Sequence, residues 1–335
     1  MTWPRPGRCI TDQVLRCEMA AAELGGAAER AVPLGPRTTY RVGGSALVAV
    51  TVSSLSQLED VAAIVAKTGV DTLVVGRGSN LLVADEGFLG LAIFLSGSFD
   101  SVSFDSVSGD GVSGDGVSGE GLRVIAGGAA RLPVVARQTV TQGLIGFEWA
   151  VGVPGSIGGA VRMNAGGHGS DMARSVVSAQ VADLARGVVE TWDANGLRFG
   201  YRSSAIGPQH VVIAATLELE PGDRKRSMVL LDEIVAWRRA HQPGGSNAGS
   251  VFTNPPGDSA GRLIDEAGGR GLRVGSAAVS MKHANFIQCD PGGCAADVWS
   301  LMNQLRQLVV KAGGPDLHPE TTCVGFPGLE VGGPC

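Results

Sequence analysis

The sequence predicts an α+β chain of two or three compact domains, and three observations carry that expectation. A β-α-β order ends in the glycine-rich loop Gly76-Arg77-Gly78-Ser79-Asn80, strand-like runs alternate with turns from Leu122 to Glu220, and amphipathic helices dominate the region after Ser227. At 335 residues the chain is long enough to bury that many cores.

The first region opens with a leader to about Arg37 that carries an Ala/Glu-rich helical piece over Cys17 to Ala31. Thr38 to Val52 alternates and ends in β-branched residues, as a strand pair around Gly43-Gly44 would. Leu58, Val61, Ile64 and Val65 have helical spacing within Leu55 to Thr68, and Thr72-Leu73-Val74-Val75 reads as a short buried strand. The glycine loop comes directly after it. Residues 101 to 120 are four degenerate pentads, SVSFD, SVSGD, GVSGD and GVSGE. Their composition cannot bury a core, so they either lengthen a β-hairpin or make a mobile loop. Their acidic residues lack the EF-hand spacing for calcium.

In the second region the clearest strands are Val176 to Val181 and Val211 to Leu219, with a helix near Leu132 to Gly143. The third region holds a helix over Ser227 to His241, another near Ser259 to Ala267, and a strand pair around Val274 to Ile287. Its last helix, Ala295 to Lys311, places Val298, Leu301, Leu305 and Val309 on one buried stripe.

Composition narrows the function classes. Hydrophobic residues make up 44% and charged residues 18%, the net charge is −5, and no long basic run occurs, which argues against a nucleic-acid or anionic-membrane surface. No apolar stretch approaches a membrane span, and the N-terminus lacks the apolar core of a secretory signal, so a cytoplasmic protein is expected. The six cysteines form no CxxC pair and no metal-ligand pattern, which predicts a reduced thiol set and no metal site.

Several clusters could carry chemistry. Gly76-Arg77-Gly78-Ser79-Asn80 exposes main-chain N–H groups beside hydroxyl and amide donors, so it can form a nest for a pyrophosphate. It is neither a Walker loop nor GxGxxG, and a plain turn is the competing reading. Gly152 to Ala160 and Met163 to Gly169 form a second glycine-dense stretch, in which Asn164 can read a ring edge. Two such loops suggest a large dinucleotide, with a pair of structural turns as the alternative. Arg202, within Tyr201-Arg202-Ser203-Ser204, suits a bidentate grip on a carboxylate. Ser250 in AGSVFTNP and Glu320 in LHPE are the remaining reactive side chains, and local sequence alone does not bring the three together.

The ordered blocks GRGSNLLVADEGFLG, FEWAVGVPGSIGGAVRMNAGGHGSDM, FGYRSS, AGSVFTNP, GRLIDEAGGRGLRVG, KHANFI and LHPE resemble those of the UDP-N-acetylenolpyruvoylglucosamine reductase family over about residues 34 to 326. The resemblance implies a two-subdomain FAD-binding fold of the vanillyl-alcohol-oxidase/PCMH type plus a C-terminal α/β substrate domain. It implies a leader at 1–33, FAD-binding subdomains at 34–98 and 99–220 with the pentad insert at 101–120, a substrate-binding domain at 221–316, and a segment 317–335 bringing Glu320 to the active site.

The implied reaction is the NADPH-dependent reduction of UDP-N-acetylglucosamine enolpyruvate to UDP-N-acetylmuramate, in peptidoglycan precursor synthesis. Hydride passes from flavin N5 to the β-carbon and a proton from Ser250 to the α-carbon, with Arg202 and Glu320 completing the active site. The family's FAD loops correspond to Gly76, Arg77, Gly78, Ser79 and Asn80, and to Gly152, Pro154, Gly155, Ile157 and Gly158, loops whose main-chain donors would hold the pyrophosphate and adenine. Noncovalent FAD is implied, since the first loop has neither His nor Cys. Asn254 corresponds to a family position that contacts the sugar nucleotide, and Tyr201 is expected to pack beside it on the substrate side. A monomer is expected.

Three departures stand out. No Tyr occurs from Glu218 to His241, as in the shorter subgroup of the family; the pentad insert is foreign to it; and Thr321-Thr322 follow Glu320 where many members carry Glu-x-Arg. Arg238, Arg239 and Arg270 are the candidates to take over that arginine's contact. A flavoprotein oxidase or dehydrogenase of the same superfamily, acting on another small substrate, is the second reading.

Overall fold

A computed structural model describes residues 9–106, 122–326 and 333–334. The chain divides into two compact units: the first comprises residues 1–51, 63–94 and 239–335, the second residues 52–62 and 95–238.

The first unit contains a four-stranded sheet in the order Glu29–Pro33, Ser45–Val52, Phe88–Leu95, Thr72–Val75. The last two strands run parallel, so the chain leaves Val75 at a sheet end, where a loop is free to present its main chain. Two expectations fail here for identifiable reasons. The N-terminal helix spans Ile10–Leu24, because Gly25 at φ 56° ends it and the residues beyond pair as a strand with Ser45–Val52. Gly43-Gly44 is a close backbone approach, not a hairpin turn: a Cβ on Gly44 would stand 2.3 Å from the Asp85 carbonyl oxygen.

Leu81–Val83 pairs in parallel with Thr322–Val324, whose other edge is covered by Gly333–Pro334. The expected pair near Val274 to Ile287 is a three-stranded antiparallel sheet of Arg273–Val274, Ala277–Val279 and Ile287–Cys289. Helix Ala295–Lys311 buries Val298, Leu301, Leu305 and Val309 in the same core as Ala277, Val279 and Ile287. Each such side chain contributes about 1.5–3 kcal/mol on burial. Cys294 gives this helix no side-chain cap; Asp85 replaces it, accepting from Ala295 N–H at 2.9 Å and Ala296 N–H at 3.0 Å.

The second unit is built on an antiparallel sheet in the order Val188–Asp193, Val176–Asp183, His210–Pro221, Leu122–Gly127, Val102–Ser106. Helix Leu132–Thr141 supplies Leu132, Val135, Ala136 and Val140 to its core. Val102–Ser106 and Leu122–Gly127 form a ladder that ends at Ser106 opposite Leu122; the pentad residues 107–121 between them lie outside the described residues.

Cys9, Cys17, Cys289 and Cys294 are free, as the reduced set requires, but Cys323 is disulfide-bonded. Among the described residues no helix is long and apolar enough to cross a membrane.

Candidate active site

In the first unit the glycine loop is fixed by a close crossing. Gly78 has φ 59°, and a Cβ there would stand 2.2 Å from the Arg37 carbonyl oxygen and 2.7 Å from Thr38 Cα. Thr39 N–H donates to the Gly78 carbonyl at 3.0 Å, holding the crossing closed. Among the described residues the N–H groups of Arg77, Gly78 and Asn80 have no main-chain partner. Such an array of donors at a strand end fits the diphosphate of a dinucleotide.

The segment around Ser250 is held between two neighbours distant in sequence. On one side, Val251 N–H donates to the Asn285 carbonyl at 2.9 Å, and the Asn285 side chain accepts from Phe252 N–H at 3.0 Å and donates to the Phe252 carbonyl at 2.8 Å. On the other side, Glu320 N–H donates to the Val251 carbonyl at 2.8 Å and Thr253 N–H to the His318 carbonyl at 2.9 Å, around an antiparallel bridge between Phe252 and Pro319. Glu320 in turn is tied to the glycine loop: Asn80 Nδ2 donates to its carbonyl at 2.9 Å, and Thr322 N–H donates to the Asn80 carbonyl at 3.1 Å. Asn80, Val251 and Glu320 are therefore one hydrogen-bonded network within the first unit, with Ser250 next to Val251 in the chain. The Ser250 hydroxyl makes no hydrogen bond among the described residues, and Gly249, at φ 80°, sets the turn before it. Asn254 uses Oδ1 to accept from Ala260 N–H at 3.0 Å, at the start of helix Ala260–Glu266.

His283 borders this network: its Nδ1 accepts from Asn285 N–H at 3.2 Å, and burial, then the Arg270 charge, lowers its pKa. The imidazole is accordingly held neutral. Arg270, one of the candidates to replace the missing arginine, is in a bidentate pair with Asp265 at 2.6 and 2.7 Å.

In the second unit the other glycine stretch is more internally bonded than the sequence suggests. Ile157 N–H donates to the Ala130 carbonyl at 2.9 Å and Gly158 N–H to the Gly128 carbonyl at 2.8 Å, so neither donor is available to a ligand. Gly155 and Ser156 keep N–H groups without a main-chain partner among the described residues, and Gly155 has φ 144° beside Pro154. The Gly152 carbonyl accepts from Arg238, whose pKa burial lowers. His168 packs edge-on against Trp237 with ring centroids 5.1 Å apart.

Tyr201 and Arg202 form the tip of a tight turn in this unit, closed by Gly200 N–H to the Ser203 carbonyl at 3.0 Å and by Ser203 N–H to the Gly200 carbonyl at 3.2 Å. Arg202 has φ 53°, a conformation that costs a residue with a Cβ about 1–2 kcal/mol. Its Nη2 donates to the Gly166 carbonyl at 3.1 Å, and its guanidinium lies 5.2 Å from the Tyr201 ring, which is 62% exposed. The Asn164 amide, expected to read a ring edge, is engaged inside the protein. The residue is buried at 3% exposure, and the amide donates to the Gly200 carbonyl at 2.9 Å and accepts from Ala173 N–H at 3.0 Å.

The first unit thus unites Asn80, Ser250, Asn254 and Glu320, while the second carries Gly152–Gly158, Tyr201 and Arg202. Sequence reasoning passed over Asn285 and the grip of Asn80 on Glu320. Asn285 lies in KHANFI, and its buried amide at 3% exposure is the signal that a sequence cannot display.

A family model for an FAD binding domain matches residues 46–193, and one for the C-terminal domain of UDP-N-acetylenolpyruvoylglucosamine reductase matches residues 241–324. The chain is 38% identical over 304 residues to the UDP-N-acetylenolpyruvoylglucosamine reductase of Heliobacterium modesticaldum, covering 90% of this chain and 92% of that one. It is 35% identical to the Bacillus subtilis reductase over 296 residues, 88% of this chain and 92% of the other. A crystal structure of the reductase from Thermus caldophilus superposes with a TM-score of 0.74 at 33% identity, covering 89% of this chain and 98% of that one. The expected FAD-binding α+β fold with a distinct C-terminal domain is borne out.

Proposed function

Since the chain belongs to the UDP-N-acetylenolpyruvoylglucosamine reductase family, we propose that it reduces the enolpyruvyl ether of UDP-N-acetylglucosamine to UDP-N-acetylmuramate, with NADPH as the hydride source. It is an FAD-dependent oxidoreductase. When bound, FAD supplies the two-electron carrier between NADPH and the β-carbon of the enolpyruvyl group.

The observation that carries this reading is the hydrogen-bonded network of Asn80, Val251 and Glu320, with Ser250 next to Val251 in the chain. The N–H groups of Arg77, Gly78 and Asn80, without a main-chain partner among the described residues, suit the cofactor's diphosphate, and the side chains of Ser250 and Glu320 suit the protonation that completes the reduction. Once hydride has reached the β-carbon, negative charge develops on the α-carbon and its carboxylate. Arg202 stabilises that charge, as a fixed guanidinium does for a carboxylate. Ser250 Oγ gives its proton to the α-carbon, and the resulting alkoxide recovers one from solvent. Its hydroxyl, without an internal hydrogen-bond partner among the described residues, suits that task. Glu320 faces the same charge in its protonated form or through a water. Asn254, with Oδ1 committed to Ala260, has its amide hydrogens left for the sugar nucleotide. Tyr201 offers an exposed ring beside Arg202 for the same ligand.

Rapid mixing of the FAD-loaded protein tests the assignment. In Ser250→Ala, NADPH still reduces the flavin while its reoxidation by the enolpyruvyl substrate collapses. Equal loss of both half-reactions would contradict a proton-donating Ser250.

A further inference from the structure

Three asparagines, none of them a reacting group, each hold the main chain beside one of the three proposed reacting side chains. Asn285 brackets the Phe252 peptide, two residues from Ser250, through both halves of its amide at 3.0 and 2.8 Å. Asn164 holds the Gly200 carbonyl at 2.9 Å, two residues before Arg202. Asn80 holds the carbonyl of Glu320 itself at 2.9 Å. We propose that Asn285, Asn164 and Asn80 are positioning residues for the reaction, each fixing the register of one reacting side chain; this rests on the roles proposed for Ser250, Arg202 and Glu320.

The chemistry explains the asparagine most fully at Asn285, the one of the three whose amide meets both main-chain groups of a single residue. A peptide flanked by no regular strand still presents one donor and one acceptor that must be satisfied when buried. A primary amide matches both groups at once, with the polarity of the peptide fixing which end of the amide is which. At Asn285 this makes the side chain a one-residue substitute for a neighbouring strand: its own carbonyl accepts from Val251 N–H at 2.9 Å, continuing the ladder by one rung. At Asn164 the residue type is constrained twice, since φ is 39° and only asparagine or glycine enters that region readily. There the amide bridges the Gly200 carbonyl and Ala173 N–H, so the turn bearing Arg202 is tied to a second loop. Arg202 sits at φ 53°, and a strained backbone at a working residue persists only where its surroundings over-determine it. Asn80 acts at both its ends: the side chain donates to Glu320, and its own carbonyl accepts from Thr322 N–H at 3.1 Å.

A catalytic side chain displaced by about 1 Å loses on the order of 100-fold in rate. The effect of removing a clamp is therefore kinetic and confined to the step its client performs. The test uses the FAD-loaded full chain with NADPH and the enolpyruvyl substrate, tracking flavin reduction and flavin reoxidation separately by rapid mixing. Asn285→Asp keeps size and the acceptor but turns an oxygen toward the Phe252 carbonyl. Reoxidation is expected to fall on the order of 100-fold while flavin reduction and FAD affinity, read by flavin fluorescence, stay within about threefold. The solvent deuterium isotope effect on reoxidation should rise, because proton delivery becomes the slow event.

Asn164→Gly is the second variant. It retains the left-handed backbone and deletes only the amide, so it keeps the proposal testable if Asn285→Asp does not fold. It should reproduce the same selective loss. Equal losses in both half-reactions, or no loss in reoxidation, overturns the proposal. Ser250→Ala run beside them separates the two levels: if it spares reoxidation, the role of Ser250 fails and its clamp with it. If it abolishes reoxidation while Asn285→Asp and Asn164→Gly leave it intact, only the clamps fail.

Discussion

Gly78→Ala probes the cradle at its tightest point. The added Cβ would stand 2.2 Å from the Arg37 carbonyl oxygen and 2.7 Å from Thr38 Cα, where ordinary contact begins at 3.4 Å. The nearest main-chain atom must therefore retreat by about 1.2 Å (3.4 − 2.2), and it belongs to backbone, which cannot rotate aside as a side-chain end can. Holding φ near 59° costs a further 1–2 kcal/mol or so for a residue with a Cβ. Adding about 1–3 kcal/mol for overpacking gives a destabilisation of roughly 2–5 kcal/mol. If the loop yields instead, the N–H groups of Arg77 and Gly78 turn away from the position proposed for the diphosphate. Losing one hydrogen bond to a charged group costs about 1.5–3 kcal/mol, or roughly a ten- to hundredfold weaker FAD affinity. Denaturant unfolding and a flavin fluorescence titration measure the two outcomes. A variant that matches the parent within about 0.5 kcal/mol in stability and binds FAD equally well would refute the cradle.

Other substitutions test separate parts. Asp85→Ala removes the only side-chain cap described for helix Ala295–Lys311 and should cost about 1–2 kcal/mol, seen as a lower Tm; an unchanged Tm would contradict the capping role. Arg238→Met strips the Gly152 carbonyl of its charged donor and should weaken FAD binding about tenfold with little change in the substrate half-reaction. For pH, His283 has a folded pKa lowered below its unfolded value, so the unfolded chain binds more protons between the two. Its contribution is fully present above about pH 6.5 and is lost as pH falls from there toward the lowered folded value. Stability should decline on acidification across that window, and His283→Asn should flatten the decline; a profile equally steep in the variant would contradict it.

Legibility tracked the range of the interactions. Helix Ala295–Lys311 was readable to the residue because its stripe of Val298, Leu301, Leu305 and Val309 repeats within the segment itself. The N-terminal helix was displaced because Gly25 and the strand partner of Glu29–Pro33 outweigh helix propensity through a contact that local sequence does not contain. The glycine loop could be read as a donor-rich turn. That Ile157 and Gly158 have their N–H groups occupied could not, since the acceptors lie at Ala130 and Gly128. The same holds for Ser250 and Glu320, which are joined through Val251, a residue whose side chain carries no signal of the bond. The asparagines were visible as letters, but their function lies in which carbonyl each amide reaches. Thr322, conspicuous as the residue in place of an arginine, proves to have a main-chain part in the network through Asn80.

The measurement that bears most directly on the proposed reaction is the isotopic composition of the product formed in deuterated water from NADPH and the enolpyruvyl ether of UDP-N-acetylglucosamine by the FAD-loaded protein. The expected product is UDP-N-acetylmuramate with solvent deuterium at the α-carbon, its formation matching the NADPH consumed. NADPH oxidation that is indifferent to the substrate, or a product lacking solvent deuterium at the α-carbon, would contradict it.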